Sequence, residues 1–146
     1  MSKHLSSVIL SSAILLLSGA CDVVSQLSAP ASSCGANDPR VGQTAELINT
    51  FIHGIQGTAR IVDNCTIVIN NFNYDGMGID VRIVGILNGD LQNPVILSQE
   101  NLVRLEPYVN ETLTVALPEG VTLDDVPTIS VFCVPFKFSF GEGTFE

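Results

Sequence analysis

The fold of this chain is constrained most by a two-residue alternation of apolar and polar side chains, which recurs in short runs between Cys65 and Phe140. Successive side chains of a β-strand point to opposite faces, so this alternation indicates strands that bury one face. The alternating positions are Cys65, Ile67 and Ile69; Val81 and Ile83; Leu113, Val115 and Leu117; Ile129, Val131 and Cys133; and Phe136, Phe138 and Phe140. Turn residues such as Asn88-Gly89 separate the runs. The sequence therefore predicts an all-β domain, either an antiparallel β-sandwich or a barrel.

The residues just before these runs carry a different and weaker pattern. Between residues 44 and 51, apolar side chains occur at Ala45, Leu47, Ile48 and Phe51. This spacing fits a helix over a short window, so we predict a turn of helix or a lead-in to the domain here.

The first twenty residues have the organisation of a secretory signal. A basic start is followed by an apolar run over residues 5–17 and by the small residues Ser18, Gly19 and Ala20. The run is shorter than the ~20 residues that a membrane-spanning helix needs. We predict a signal peptide over residues 1–20 and an exported protein; the alternative is a buried N-terminal helix of the fold.

Cys21 follows these small residues directly, in a segment that resembles a bacterial lipobox. A lipid on this cysteine would hold the protein at a membrane surface of the cell envelope. The alternative is ordinary cleavage near Ala20, which would leave a secreted or periplasmic soluble protein.

Residues 21–43 are rich in Ser, Ala, Pro, Gly and Asn and are predicted to be a flexible tether. Residues 44–146 then form a single β domain. Fifteen carboxylates stand against six Lys and Arg residues. This balance argues against nucleic acid as a partner, since nucleic acid binding needs clustered positive charge.

The cysteines favour a structural disulfide, because an exported protein meets an oxidising compartment. If Cys21 carries lipid, Cys34, Cys65 and Cys133 remain. The alternation places Cys65 and Cys133 on inward faces of strands, so the preferred pair is Cys65–Cys133, which would stabilise the fold by ~4 kcal/mol. The alternatives join Cys34 to Cys65, or to an unlipidated Cys21.

Several separated motifs between residue 51 and the C-terminus resemble the DM-thirteen domain family. They comprise His53, Gly54, Gly57, Thr58, Val62, Asp63, Phe72, Tyr74, Asp75, Gly76 and Asp80, then Leu117-Pro118-Glu119-Gly120, Ser130-Val131-Phe132-Cys133 and Phe140-Gly141. The family is an extracytoplasmic module that is also found beside DOMON domains in Skeletor-like animal proteins. The resemblance implies an electron-transfer role for Cys133. Ile79 and Phe132 depart from the Pro and Trp that are usual in the family.

Two functions follow as alternatives. The first is a binding or accessory module of the cell envelope, with an envelope protein as partner and a structural disulfide. The second is a redox or electron-transfer module that uses Cys133 together with Cys65. A reactive thiol needs a lowered pKa and access to solvent, and the nearest cation in sequence is Lys137, so the first is preferred. No catalytic motif occurs, and no enzymatic activity is expected.

No cofactor or metal ion is expected. The only His and Met residues after the signal, His53 and Met77, form an axial pair that haem proteins use, but such a pair also occurs by chance. Turn formation explains Asp75-Gly76 without a ligand. The remaining candidate oxygen ligands, Asp80 and the pair Asp124-Asp125, do not complete a calcium-loop pattern.

Overall fold

The computed structural model describes residues 34–146, and this part of the chain is all-β, as predicted. The expected signal peptide, Cys21 and most of the expected tether lie outside the described residues. The strands are β1 (Thr44–Asn49), β2 (Gln56–Asp63), β3 (Thr66–Tyr74), β4 (Val81–Ile86), β5 (Val95–Ile96), β6 (Tyr108–Ala116), β7 (Thr128–Cys133) and β8 (Phe138–Thr144). A short 3-10 helix, Leu123–Asp125, precedes β7. Within residues 34–146, none of the helical structure is long and apolar enough to cross a membrane.

The eight strands form one antiparallel sheet in the order β5-β4-β7-β8-β1-β2-β3-β6. The sheet curls into a half-barrel. Ile83 and Val115 belong to the same buried cluster. Their strands lie far apart in the sheet, since β4 is next to one edge and β6 forms the other edge. The curl therefore wraps one continuous core, and the barrel-like form of the prediction describes the domain better than two stacked sheets.

The alternation identifies the core-facing side chains correctly in most strands. Ile67 and Ile69 on β3 are fully buried, and Val81 on β4 is as well. Strand β7 is buried on both faces: Cys133 faces the main core, whereas Phe132 packs on the opposite face.

Strand β1 corrects the helical interpretation of residues 44–51, which is wrong. Ala45 and Leu47, two residues apart, are both buried, whereas the next residue, Ile48, is exposed. The strand pairs with β2 on one side and with β8 on the other. Its place in the sheet therefore depends on the next strand in the chain and on the last one, β8, which is distant in sequence.

The last residues of the expected tether, 34–43, are attached to the sheet. The N–H of Asn64 donates to the carbonyl of Gly35 at 2.9 Å, and the N–H of Gly42 donates to the carbonyl of Ile61 at 2.9 Å. Cys34 is joined to Cys65 by a disulfide. The ordered domain thus begins earlier than the composition suggested.

The predicted Asn88-Gly89 turn is present after β4. Both residues have positive φ, 53° and 72°, as this turn requires. The N–H of Asp90 donates to the carbonyl of Leu87 at 3.0 Å. The turn reverses the chain, and a longer loop then leads to β5 at the edge of the sheet.

Candidate functional site

The cysteines are paired differently from the preferred prediction. Cys34 and Cys65 form the disulfide, with their Cα atoms 5.1 Å apart, and Cys133 is a free, buried thiol. Cys65 lies in the turn between β2 and β3, and its side chain is half-buried. The Cys65–Cys133 pairing is therefore wrong, and the alternative pairing of Cys34 with Cys65 is the one formed.

The physical reason is that Cys65 and Cys133 lie at opposite ends of β3. Cys65 directly precedes this nine-residue strand, whereas Cys133 pairs with Val81, at the far end where the chain leaves β3 and enters β4. At ~3.3 Å per residue, β3 separates the two ends by ~30 Å. A disulfide requires Cα atoms within ~7 Å of each other, so the two cysteines cannot meet.

Cys133 lines a pocket of about 370 Å³. The side chains around it come from the β1–β2 loop, the β3–β4 loop, the end of β7, the β7–β8 turn and β8. They are Phe51, His53, Gly78, Ile79, Cys133, Phe136, Phe138 and Phe140. We call this site the Cys133 pocket. It has aromatic and aliphatic walls, and its only side-chain heteroatoms are the Cys133 sulfur and the His53 imidazole nitrogens.

The imidazole of His53 is held by Asp75. Nδ1 lies 2.9 Å and 3.1 Å from the two carboxylate oxygens, and a carboxylate only accepts, so Nδ1–H donates. The ring also lies against Phe140, with the two centroids 3.9 Å apart, and meets Tyr74 edge-on at 6.1 Å. Three contacts on three sides therefore fix the ring.

The second nitrogen of His53, Nε2, remains available. Within residues 34–146 it has no hydrogen-bond partner. No buried side-chain nitrogen or oxygen of this part of the chain lacks a partner, so solvent must reach Nε2. In the neutral ring, the proton on Nδ1 is directed toward Asp75, and Nε2 offers a lone pair.

The loop of residues 75–80 is built by the same carboxylate and by two glycines. Asp75 Oδ1 accepts the N–H of Met77 at 2.8 Å. Gly76 has φ 76°, and a Cβ on it would lie 2.5 Å from the carbonyl oxygen of Arg104. Gly78 has φ 151°, and its Cβ would lie 2.5 Å from the Val81 side chain. Both positions therefore exclude a side chain, and the loop can pass close to the pocket.

Tyr74 lies behind the pocket as a neutral hydrogen-bond donor. Its hydroxyl donates to the carbonyl of Met77. Burial raises the pKa of Tyr74, and the nearby carboxylate of Asp75 raises it further. Its ring stacks on Tyr108, which the Arg104 guanidinium covers at 3.3 Å. Aromatic packing thus connects the pocket to the β6 edge of the sheet.

The rim of the pocket carries large apolar side chains that face solvent. Phe51, Ile79, Phe136 and Phe138 line it and are 51%, 63%, 70% and 40% exposed. Such clusters of exposed apolar side chains are typical of binding surfaces.

No lysine or arginine lines the Cys133 pocket. Lys137, the cation nearest to Cys133 in sequence, donates from Nζ to the carbonyl of Gln92 at 2.6 Å. It is therefore held against the β4–β5 loop. The lining of the pocket therefore offers no lysine or arginine that would stabilise a thiolate at Cys133.

The remaining family-motif residues have structural contacts outside the pocket. Thr58 donates to Glu46 at 2.8 Å on the exposed side of β2, and Gly54 and Gly57 have positive φ. Asp80 accepts from Arg82 at 2.6 Å. Of the predicted site residues, the structure brings His53, Tyr74, Asp75, Gly76 and Cys133 together and leaves Cys65 at the opposite end.

The two departures from the family pattern occupy different places. Ile79 lies on the pocket rim. Phe132 packs with Val84 and Ile86 on the face of β7 opposite to Cys133. An aromatic side chain at position 132, whether Phe or Trp, therefore supports the outer cluster and does not line the thiol pocket.

The carboxylates considered for a metal ion each have separate partners. Asp124 lies 3.0 Å from Arg40, and Asp125 accepts the N–H of Thr122 at 2.9 Å. In the part of the chain that is described, one group of potential metal ligands occurs, Cys34, Asp63 and Cys65, and its two cysteines are bridged to each other. Met77 does not line the pocket that contains His53.

The sequence reasoning did not identify the aromatic wall of the pocket. Phe136 was predicted to belong to the same strand as Phe138 and Phe140, but it lies in the turn before β8 and is exposed. The available signal was the density of phenylalanines next to Cys133. Phe51 comes from the other end of the chain and carried no comparable signal.

Fold and site together define a small half-barrel β domain with a free thiol and a carboxylate-bound imidazole in an aromatic pocket. The chain belongs to the Electron transfer DM13 family, whose sequence model matches residues 47–145. It is similar to Protein Skeletor, isoforms B/C, of Drosophila melanogaster, with 33% identity over 139 residues, which covers 88% of this chain and 17% of the relative. Isoforms D/E of the same protein match with the same identity, over 9% of their length. The chain thus spans less than a fifth of these relatives, and no solved structure matches significantly.

Proposed function

We propose that this protein is an exported accessory module, anchored to a membrane through lipid on Cys21, and that it binds an apolar group in the Cys133 pocket. The observation that carries the binding role is the pocket itself. Its volume of about 370 Å³ lies within the ~300–1,000 Å³ range of ligand sites. Such sites combine apolar walls with a few polar atoms, and this combination is present here.

Export and anchoring rest on separate support. Residues 1–20 have a signal pattern, and the lipobox-like segment ends at Cys21. The Cys34–Cys65 disulfide fits an oxidising compartment. Mass spectrometry of protein from isolated membranes should find a lipid on an N-terminal Cys21, and Cys21→Ala should shift the protein to the soluble fraction. A mature protein in which Cys21 is unmodified would contradict the proposed lipid anchoring.

The binding role is tested with 2-methoxynaphthalene as an apolar aromatic probe. We expect titration of the mature protein to shift the NMR signals of the Ile79 methyl groups. Ile79→Trp should weaken binding because the indole would obstruct the rim. Leu105→Trp is the matched control, since Leu105 is fully exposed and does not line the pocket. Equal binding by both variants would place the probe elsewhere and contradict the proposal.

Electron transfer through Cys133 is a second candidate. It is favoured by the family description and by the position of the free thiol in the pocket wall. Cys65 cannot serve as its redox partner, because Cys65 is bridged to Cys34 at the other end of β3. Thiol–disulfide exchange at Cys133 would therefore need a disulfide from another molecule, which the thiolate attacks and from which one sulfur leaves as a thiol.

Reaction with a small aromatic disulfide distinguishes the two candidates. The Cys133 side chain is only 2% exposed and lacks a cation beside it. For a binding module, Cys133 should react far more slowly in the native protein than after unfolding in urea. A rate in the native protein close to that of the unfolded thiol would favour the redox role.

A further inference from the structure

We infer that the Cys133 pocket selects aromatic ligands that carry one hydroxyl group, such as phenols, and that His53 Nε2 accepts the hydroxyl proton in a hydrogen bond. The inference rests on the pocket binding proposed above and adds the chemical class of the ligand. It depends on three features of the pocket: the tautomer of His53, the absence of other polar side chains, and the aromatic walls.

The tautomer is set by Asp75. Its carboxylate lies 2.9 Å from Nδ1 and can only accept, so the neutral ring carries its proton on Nδ1. Asp75 is itself fixed, because Oδ1 also accepts the N–H of Met77 at 2.8 Å. Asp75 is thus a positioning residue, and Nε2 is left as a hydrogen-bond acceptor.

The polar requirement of a ligand follows from this acceptor. Nε2 is reached by solvent and has no partner within residues 34–146. A ligand that fills the pocket displaces the water there and must supply a donor, or it leaves the nitrogen unpaired. Ethers and ketones present a lone pair to a lone pair, whereas a hydroxyl supplies the donor. Apart from His53, no lining side chain contains nitrogen or oxygen, so a second polar group on the ligand finds no side-chain partner there except the weak Cys133 thiol.

The preference for an aromatic body follows from the walls. Phe51 and Phe138 meet edge to face with their centroids 5.3 Å apart, and Phe140 lies against His53. A planar ring between such rings gains edge and face contacts that an aliphatic chain of the same area does not. A volume of about 370 Å³ is near the lower end for ligand sites, which favours one or two rings. Charged ligands are disfavoured, because no lysine, arginine or carboxylate lines the pocket to pair with their charge.

The test compares 2-naphthol with 2-methoxynaphthalene, which share the ring system and differ in the O–H donor. We expect 2-naphthol to bind the mature protein about fivefold to tenfold more tightly, the effect of one net hydrogen bond. In His53→Phe the ring against Phe140 is kept and the acceptor is lost, so the ratio of the two Kd values should fall to about one. Asp75→Asn should lower the same ratio, since an amide can also donate to Nδ1 and move the ring proton to Nε2.

The outcomes separate this inference from the proposed function. If both probes bind with equal Kd to the wild-type protein, the pocket binds apolar groups but the inference is overturned. A ratio that persists in His53→Phe would also overturn it, because the hydroxyl would then contact another group. If neither probe binds, both proposals fail. Methyl NMR signals away from the pocket that match those of the wild-type protein show that a variant is folded. If His53→Phe does not fold, the ratio of the two Kd values in Asp75→Asn provides the second test.

Discussion

The two ends of β3 use the same residue type in opposite ways. At the Cys65 end, the cysteine is oxidised and surrounded by polar groups: Asp63 accepts the Cys65 N–H at 2.8 Å, and Asn64 bonds to the backbone of Asp38. At the Cys133 end, the cysteine is reduced, 2% exposed and surrounded by aromatic rings. One end fastens residues 34–43 to the sheet, and the other forms a pocket. A cysteine in a β-rich sequence therefore takes its role from the end of the sheet that it occupies.

The largest effect is expected from the disulfide. Cys34→Ala should lower the free energy of unfolding by ~3–4 kcal/mol, because it opens a loop with a sequence separation of 31 residues. Urea unfolding of the mature protein, with and without reductant, measures the change. Reductant should destabilise the wild-type protein and leave Cys34→Ala unaffected. Equal stability of the wild-type protein and the variant would contradict the stabilising effect assigned to the disulfide.

Asp63 and Asp75 allow the stabilising effect of one carboxylate at each end of β3 to be compared. Asp63 and Asp75 each accept a backbone N–H two residues ahead at 2.8 Å, but Asp75 also holds His53. We expect Asp75→Ala to lower the free energy of unfolding by about 1 kcal/mol more than Asp63→Ala. Urea unfolding of the two variants measures the difference. A larger loss for Asp63→Ala would mean that the carboxylate at the disulfide end contributes more.

Alkaline pH should lower the free energy of unfolding through the two tyrosines that pack behind the Cys133 pocket. Burial raises the pKa of both Tyr74 and Tyr108 above the ordinary tyrosine value of about 10. The folded state therefore holds these protons more tightly than the unfolded state, and stability falls as pH rises above about 10. Phenolate absorbance should appear together with the unfolding transition monitored by circular dichroism. Ionisation of either of the two tyrosines in the still folded protein at its ordinary pKa would contradict this.

Acidic pH should lower the free energy of unfolding through aspartates at the disulfide end, and we expect this effect to be smaller. Hydrogen bonds from the Arg40 side chain and N–H lower the pKa of Asp38, and those from the Thr122 N–H and hydroxyl lower the pKa of Asp125. Stability from these groups is present above the ordinary aspartate pKa of about 4 and is lost as pH falls through the lowered folded values. Asp38→Asn should make unfolding less dependent on pH in this range. An unchanged pH profile would contradict the assignment.

The strands were predictable because they depend on local alternation. Ile67, Ile69 and Val81 were placed correctly, since a side chain on a half-buried strand must follow the two-residue period. Residues 44–51 were misassigned, because Ile48 is apolar although it faces solvent and the short run then resembled a helix. The family motifs identified the residues of the β3–β4 loop and Cys133, but not the phenylalanines that enclose them.

The sequence by itself determined an all-β domain, the Asn88-Gly89 turn and the membership of the family, since each depends on residues close together or in a fixed order. Only the tertiary structure decided which cysteines meet and where the pocket forms. Alternation shows that a side chain points inward but does not give its position along the strand or the order of the strands. Cys65 and Cys133 both appeared as members of alternating runs, and ~30 Å of β3 separates them.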